Sequence, residues 1–227
     1  CPFDKVKYKT LLEGLEATEI KLSQCVENKD YRIDSGFYTK APIINPHLSY
    51  KKIGDCLLAS QYGISVAMNE DKKGYPIYRM NEIHNLLCDL NVNKCADITQ
   101  EEAEIFKLHD KDVIFNRTNS FEWVGRTGIY YQNDNIDRIF ASYLVRFIPN
   151  TDILLPEYLA TYLNTKYGMW DIKRRARQSI NQTNVNPEEV KCMDIPILGK
   201  DIQNNVAQHL QIANQKRIVS QQLYASA

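Results

Sequence analysis

Three short stretches of this 227-residue chain concentrate side chains that end in planar hydrogen-bonding forks. "YRMNE" holds Arg79, Asn81 and Glu82, and "NRTNSFEW" holds Asn116, Arg117 and Asn119, with the hydroxyls of Thr118 and Ser120 as further candidates beside them. "RRARQSINQTN" holds Arg174, Arg175, Arg177, Gln178, Asn181, Gln182 and Asn184. Arginine pairs bidentately with O6 and N7 of guanine, and asparagine or glutamine with N6 and N7 of adenine, so these groups suit the reading of base edges. Taken singly, an arginine can be absorbed by an internal acid and an asparagine by a turn backbone. Three such clusters beside predicted strands and helices point instead to recognition through hydrogen bonds.

The third cluster overlaps a local run of positive charge. "KYGMWDIKRRARQS" carries Lys166, Lys173, Arg174, Arg175 and Arg177 against Asp171 alone, inside a chain whose 28 basic and 28 acidic residues cancel. A protein that simply coats phosphates would be basic overall. Composition alone thus argues mildly against nucleic acid.

Catalytic chemistry finds little support. A DNA methyltransferase needs a glycine-rich cofactor loop and an Asn-Pro-Pro-Tyr type motif. Asn45-Pro46-His47 and Asn186-Pro187-Glu188 come nearest, and both lack the aromatic that would hold a flipped base. A metal-dependent nuclease needs an acid followed by an acid-x-Lys. Asp171 with Glu189 and Lys191 fits that formally, but so do Asp4, Glu19 and Lys21, which shows how readily the pattern arises when 25% of residues are charged. No serine or cysteine sits in a nucleophile elbow. Six cysteines without a CxxC pair and four scattered histidines suggest reduced thiols and no metal site. No catalytic residue, metal ligand or bound cofactor is expected.

The elements that must hold these clusters follow from the patterning. Val113, Ile114 and Phe115 read as a buried strand and Gly128-Ile-Tyr-Tyr as a second. Two large aromatics, Phe121 and Trp123, lie among the polar residues between them and are expected to pack beneath the connection and fix it. Residues 8–25 read as a short helix-like or mixed opening. A polar stretch follows to Ser49, then short strands from 52 to about 148, with Asp71–Gly74 as a hairpin turn. After Pro149 the pattern becomes helical, with Pro156 and Glu157 as a start and Leu159, Tyr162, Leu163 and Met169 at helical spacing. "QSINQTNVNPEEV" reads as a loop and "CMDIPIL" as a strand. From Asp201 a Gln-rich amphipathic helix places Ile202, Val206, Leu210 and Ala213 on one line and Ile212, Val219 and Leu223 on a neighbouring one. No run approaches the roughly 18 apolar residues of a membrane span. The chain opens Cys1-Pro2-Phe3, without an initiator Met or signal peptide, and is expected to be part of a longer polypeptide.

The ordered combination resembles the target recognition domains of type I restriction–modification specificity subunits. "KDVIFNRTNSFEWVGRTGIY" is similar to their central segment and "GYPIYRMNEI" to an upstream strand. The closing segment resembles "YLATYLNTKYGMWDIKRRARQSINQTNVNPEEVKCMDIPIL" followed by the Gln-rich helix. The resemblance covers about residue 50 to the end, with length for one recognition domain and one spacer helix where the family's usual subunit has two of each. It also fits the equivalent C-terminal domain of a fused adenine-N6 methyltransferase. It implies an α+β fold, mostly antiparallel sheet with edge helices (1–198, with 1–30 as a lead-in), followed by a coiled-coil-type helix at 199–227. It implies a cytoplasmic, non-catalytic reader of half a DNA target. Under this resemblance Lys173, Arg174, Arg175 and Arg177 are expected to meet phosphates, which position without specifying. The partners implied are double-stranded DNA, a methyltransferase subunit or domain, a second specificity half forming a homodimer, and a restriction subunit. S-adenosylmethionine belongs only to the methyltransferase. A protein–protein module, with an aromatic interface rich in the 14 tyrosines and a helical docking arm, is the alternative reading.

Overall fold

The computed structural model describes residues 18–27, 31–84 and 86–225, which fall in two compact units, one within 1–43 and one within 44–227. The first unit holds α1 (Leu22–Glu27) and α2 (Ser35–Tyr38). Between them Arg32 pairs with Asp34 at 2.5 and 2.9 Å, lies over the Phe37 ring, and receives the Tyr38 hydroxyl on its carbonyl oxygen at 2.9 Å. Much of the helix-like opening expected over 8–25 lies outside the described residues.

The second unit runs β1 (Tyr50–Lys52), β2 (Leu57–Tyr62), β3 (Tyr75–Tyr78), β4 (Leu86–Leu87), β5 (Cys95–Ala96), α3 (Gln100–Phe106), β6 (Val113–Asn116), β7 (Thr118–Asn119), β8 (Thr127–Ile129), β9 (Ile139–Phe140) and β10 (Leu144–Pro149). It continues through α4 (Pro156–Asn164), α5 (Lys166–Arg175), β11 (Arg177–Gln178), β12 (Thr183–Asn184), α6 (Pro187–Lys191), β13 (Asp194–Pro196) and α7 (Lys200–Ala225). The main sheet has the order β2-β10-β6-β8-β4. Every ladder among the described residues is antiparallel except β4 with β8 and β3 with β9, so the expected α+β architecture with mostly antiparallel sheet is present.

The centre of the sheet explains why "DVIFN" reads as an apolar run. All four residues of β6 are buried, because side chains alternate between two packed faces. Val113 and Phe115 face α4, meeting Leu159, Leu163, Val145 and Phe147, while Ile114 faces Tyr78, Tyr130 and Phe140. Each such side chain contributes roughly 1.5–3 kcal/mol by leaving water. Pro156 stands in the first turn of α4, as expected.

Four expectations are corrected. Asp71–Gly74 is a turn, with Lys72 and Gly74 at positive φ, but it closes no hairpin, since β2 pairs with β10 while β3 pairs with β5 and β9. A Cβ on Gly74 would lie 2.0 Å from the Ala96 carbonyl oxygen, so the turn requires glycine. The helical pattern after Pro156 is two helices. Thr165 ends α4 in extended conformation (ψ 163°), and its hydroxyl caps α5 by accepting from the Gly168 amide at 3.2 Å. The stretch read as a loop forms the β11–β12 hairpin and α6, where Asn186 caps and Pro187 begins the helix.

The last correction concerns α7. Its buried line is Gln203, Ala207, Leu210 and Asn214, and Ile202 is exposed. Gln203 latches the helix to its own unit: its Oε1 accepts from the Leu155 amide at 2.9 Å and its Nε2 donates to the Ile153 and Leu198 carbonyls at 3.1 and 2.9 Å. Further along, Arg217 donates to the Cys88 carbonyl at 2.8 Å and to Asn214 at 2.9 Å. Ile212, Val219 and Leu223 remain exposed.

Candidate nucleic-acid interface

Two of the three clusters, far apart in sequence, are brought together by strand pairing. β7 pairs with β12 in the register Thr118↔Asn184 and Asn119↔Thr183, and β12 pairs with β11 in the register Asn184↔Arg177 and Thr183↔Gln178. The second and third clusters are thus one small antiparallel sheet. It is fastened from inside by the Thr118 hydroxyl donating to Asn184 Oδ1 at 2.6 Å and by the Val185 amide donating to the Arg117 carbonyl at 2.9 Å.

The first cluster adjoins the same strand. Asn116 Nδ2 donates to the Met80 carbonyl at 3.4 Å, and Arg117 Nη1 donates to the Ser142 carbonyl at 3.4 Å. The Arg117 guanidinium lies 5.2 Å from the centre of the Tyr62 ring. An open cavity of about 410 Å³ lies here, lined by Arg79, Asn81, Ile64, Val66, Ser142 and Tyr143. Arg79 is held at its wall by Glu82, with contacts at 2.5 and 3.2 Å, whereas Asn81 is exposed. Tyr62 and Tyr143, both exposed beside Arg117, were not legible as site residues, because only the long-range pairing around β10 carries them there.

The individual residues divide into those that face outward and those that support. Arg177, Gln178, Asn181, Gln182, Asn81 and Ser120 are exposed, and Arg117, Asn119 and Asn184 are half-buried. Asn116 is 0% exposed and Thr118 is buried, so they hold the strand in place. Two buried polar atoms here, Asn116 Oδ1 and Arg117 Nε, have no hydrogen-bond partner among the described protein atoms.

The expected basic stripe is not a row of solvent-facing cations. Arg174 and Arg175 are 9% and 8% exposed, and both engage Asp171, at 2.7–2.9 Å and 3.1 Å respectively. Helical spacing of three and four residues puts all three groups on one side of α5, turned toward the protein. Arg177 alone of the three arginines is exposed, and it contacts Glu189 at 3.2 Å. The formal nuclease triad is consumed in the same way: Asp171 and Glu189 meet arginines, and Lys191 pairs with Glu188 at 2.7 Å. Among the described residues no group of three or more His, Cys, Asp or Glu could hold a metal ion.

Lys173 also turns inward. Its ammonium donates to the carbonyls of Phe121, Glu122 (3.2 Å) and Val124 (2.9 Å), fastening the aromatic connection to α5. Burial, with the nearby charge of Arg126, pushes this amine down to about 8. The connection is a tight turn closed by Ser120, whose carbonyl accepts from the Trp123 and Val124 amides at 3.1 and 2.9 Å. Gly125 follows at φ +91°, where a Cβ would lie 2.5 Å from Ile172. Phe121 and Trp123 do not pack beneath the turn as expected. They are 44% and 38% exposed, with the Lys173 amine 4.9 Å from the Phe121 ring centre and the Arg126 guanidinium 3.3 Å from that of Trp123.

Known proteins can be set against this geometry. Over 162 residues the chain is 28% identical to the assigned specificity subunit of the type I restriction enzyme MjaX of Methanocaldococcus jannaschii, covering 70% of this chain and 38% of that protein. Over 186 residues it is 26% identical to the EcoKI specificity subunit of Escherichia coli, covering 80% and 37%. The chain is thus similar in sequence to type I restriction enzyme specificity subunits. It spans less than two fifths of the length of the curated relatives it matches. No family model matches. A solved structure from a type I restriction–modification system shares the fold at a TM-score of 0.53 and 14% identity over 98% of this chain and 49% of that one. The type I S subunit of M. genitalium does so at 0.53 and 11% over 80% and 44%. Both relatives are named for specificity rather than for a catalytic activity. No helix among the described residues is long and apolar enough to cross a membrane.

Proposed function

We propose that this chain is the DNA target recognition module of a type I restriction–modification system, reading one half-site and positioning an adenine-N6 methyltransferase. Residues 1–198 form the recognition part and 199–227 the spacer helix. The observation that supports the reading is the β7–β12 pairing, which joins the second and third polar clusters in one small sheet beside the first. The β11–β12 hairpin at the free side of that three-stranded sheet is a two-stranded ribbon, an element that the major groove of B-DNA admits.

In this assignment Arg117, Asn119, Ser120, Arg177, Gln178, Asn181, Gln182 and Asn81 meet base edges or phosphates. Arg79 acts through the cavity wall, and Asn184 holds the hairpin at the angle it presents. Lys173, Arg174 and Arg175 keep the platform rigid, which base readout requires. With most of the basic stripe folded inward and a net charge of zero, the chain alone binds DNA weakly, and the methyltransferase supplies the remaining grip. The module works in the cytoplasm with that subunit, a restriction subunit and a second specificity half. The exposed line of Ile212, Val219 and Leu223 on α7 suits a helical partner.

The test is a selection from random duplex DNA by the chain assembled with its methyltransferase, read at two salt concentrations. A short enriched motif whose binding falls with salt and is lost with Arg117→Ala supports the assignment. A folded, assembled complex that enriches no sequence overturns it.

A further inference from the structure

At the tip of the β11–β12 hairpin the backbone makes a tight turn: the Ser179 amide and hydroxyl both donate to the Gln182 carbonyl at 2.9 Å, leaving Ile180 and Asn181 as the two central residues. Ile180 is 100% exposed, more than any other large hydrophobic residue described. Nothing in the fold asks for it. Two-residue hairpin turns favour asparagine and glycine at positive φ, and a β-branched residue fits them poorly. Among the described residues neither Ile180 nor Asn181 has a positive φ, so the turn takes a less favoured geometry around a fully exposed side chain. Around it Arg177, Gln178, Asn181 and Gln182 are all exposed.

We infer that Ile180 is a specificity-determining contact for the 5-methyl group of a thymine in the major groove. This rests on the DNA-reading assignment and deepens it. The four polar neighbours match the donors and acceptors that every base pair displays there, whereas an isoleucine pressed against those atoms would strip their water and return no hydrogen bond. The one apolar group on an unmodified groove floor is the thymine methyl. A hairpin entering tip first delivers Ile180 to that floor, with Arg177 and Gln178 on one flank and Asn181 and Gln182 on the other. The target half-site therefore contains an A·T pair whose orientation is read by an apolar contact. Burying one methyl changes affinity on the order of fourfold.

The experiment takes the duplex enriched by the full chain with its methyltransferase and replaces each thymine in turn by deoxyuridine, which removes only the methyl. Binding is measured for the unaltered protein and for Ile180→Ala, a surface change that leaves the packed core intact. At one thymine, deoxyuridine weakens the unaltered protein about fourfold and leaves Ile180→Ala unaffected. If deoxyuridine has the same effect on both proteins at every position, or the enriched site contains no thymine, this contact is wrong while the DNA-reading assignment stands. If no duplex is enriched, that assignment fails and this contact fails with it.

Discussion

Thr118 and Asn184 stand directly opposite each other in antiparallel register, and the Thr118 hydroxyl donates to the Asn184 side-chain oxygen at 2.6 Å across 66 residues of sequence. This bond joins the strand that follows the sheet centre to the hairpin that follows α5. Thr118→Val keeps the shape and leaves Asn184 Oδ1 without its donor. It should cost about 1 kcal/mol in urea unfolding, as should Asn184→Ala. Because both changes remove the same interaction, the double variant should lose less than the sum. Strict additivity would show that the two clusters are held together by the backbone ladder alone.

Asp171 is the anchor of α5. Two guanidinium groups share its carboxylate in a buried setting, so removing it takes the counter-charge away from both. Asp171→Ala should destabilise the fold by about 3–5 kcal/mol. Arg174→Met and Arg175→Met should lower stability while leaving the slope of log affinity against log salt unchanged, because buried arginines neutralise no phosphate. Arg177→Ala should instead flatten the slope by roughly one phosphate contact. A reduced slope in Arg174→Met would return the stripe to the DNA surface.

These arginines also show where sequence reading stops. The strand at 113–116, the start at Pro156 and the terminal helix are legible because apolar periodicity reports burial directly. Charge carries no such signal. "DIKRRAR" looks like a solvated basic face until the i+3 and i+4 geometry of α5 places Arg174 and Arg175 on Asp171. Polar residues mislead in the same way on α7, where Gln203 and Asn214 occupy the buried line and shift it one residue from the line drawn through Ile202. The three polar clusters are visible in the sequence, but the union of the second and third through β7 and β12 depends on a pairing 66 residues apart that no local pattern encodes.

Arg117 makes the sharpest functional prediction. It leans on the Tyr62 ring and reaches one carbonyl at 3.4 Å, so its planar fork is poised without being saturated by the protein. Arg117→Lys keeps the charge and loses the fork. Binding to the selected duplex should fall by roughly 1–3 kcal/mol, with relaxed preference at one position. An unchanged sequence preference in Arg117→Lys would reduce Arg117 to a phosphate contact.

Lys173 predicts a pH dependence with a definite sign. Its amine is lowered from 10.5 to about 8, first by burial and then by the charge of Arg126. Near pH 7 both the folded and unfolded chains hold the proton, and the folded chain bears the full cost of enclosing the cation. Between about pH 8 and 10.5 the folded chain releases that proton while the unfolded chain keeps it. The unfolded state then binds more protons, so this group makes stability rise with pH across the window. Raised tyrosine values act in the opposite direction near their own titration, so the comparison must be between proteins that share them. Lys173→Met retains the apolar stem and has no proton to release. Unfolding free energies from pH 7.5 to 10 should climb more steeply in the unaltered protein than in Lys173→Met, and parallel curves would mean that the carbonyls of Phe121, Glu122 and Val124 hold the amine fully charged.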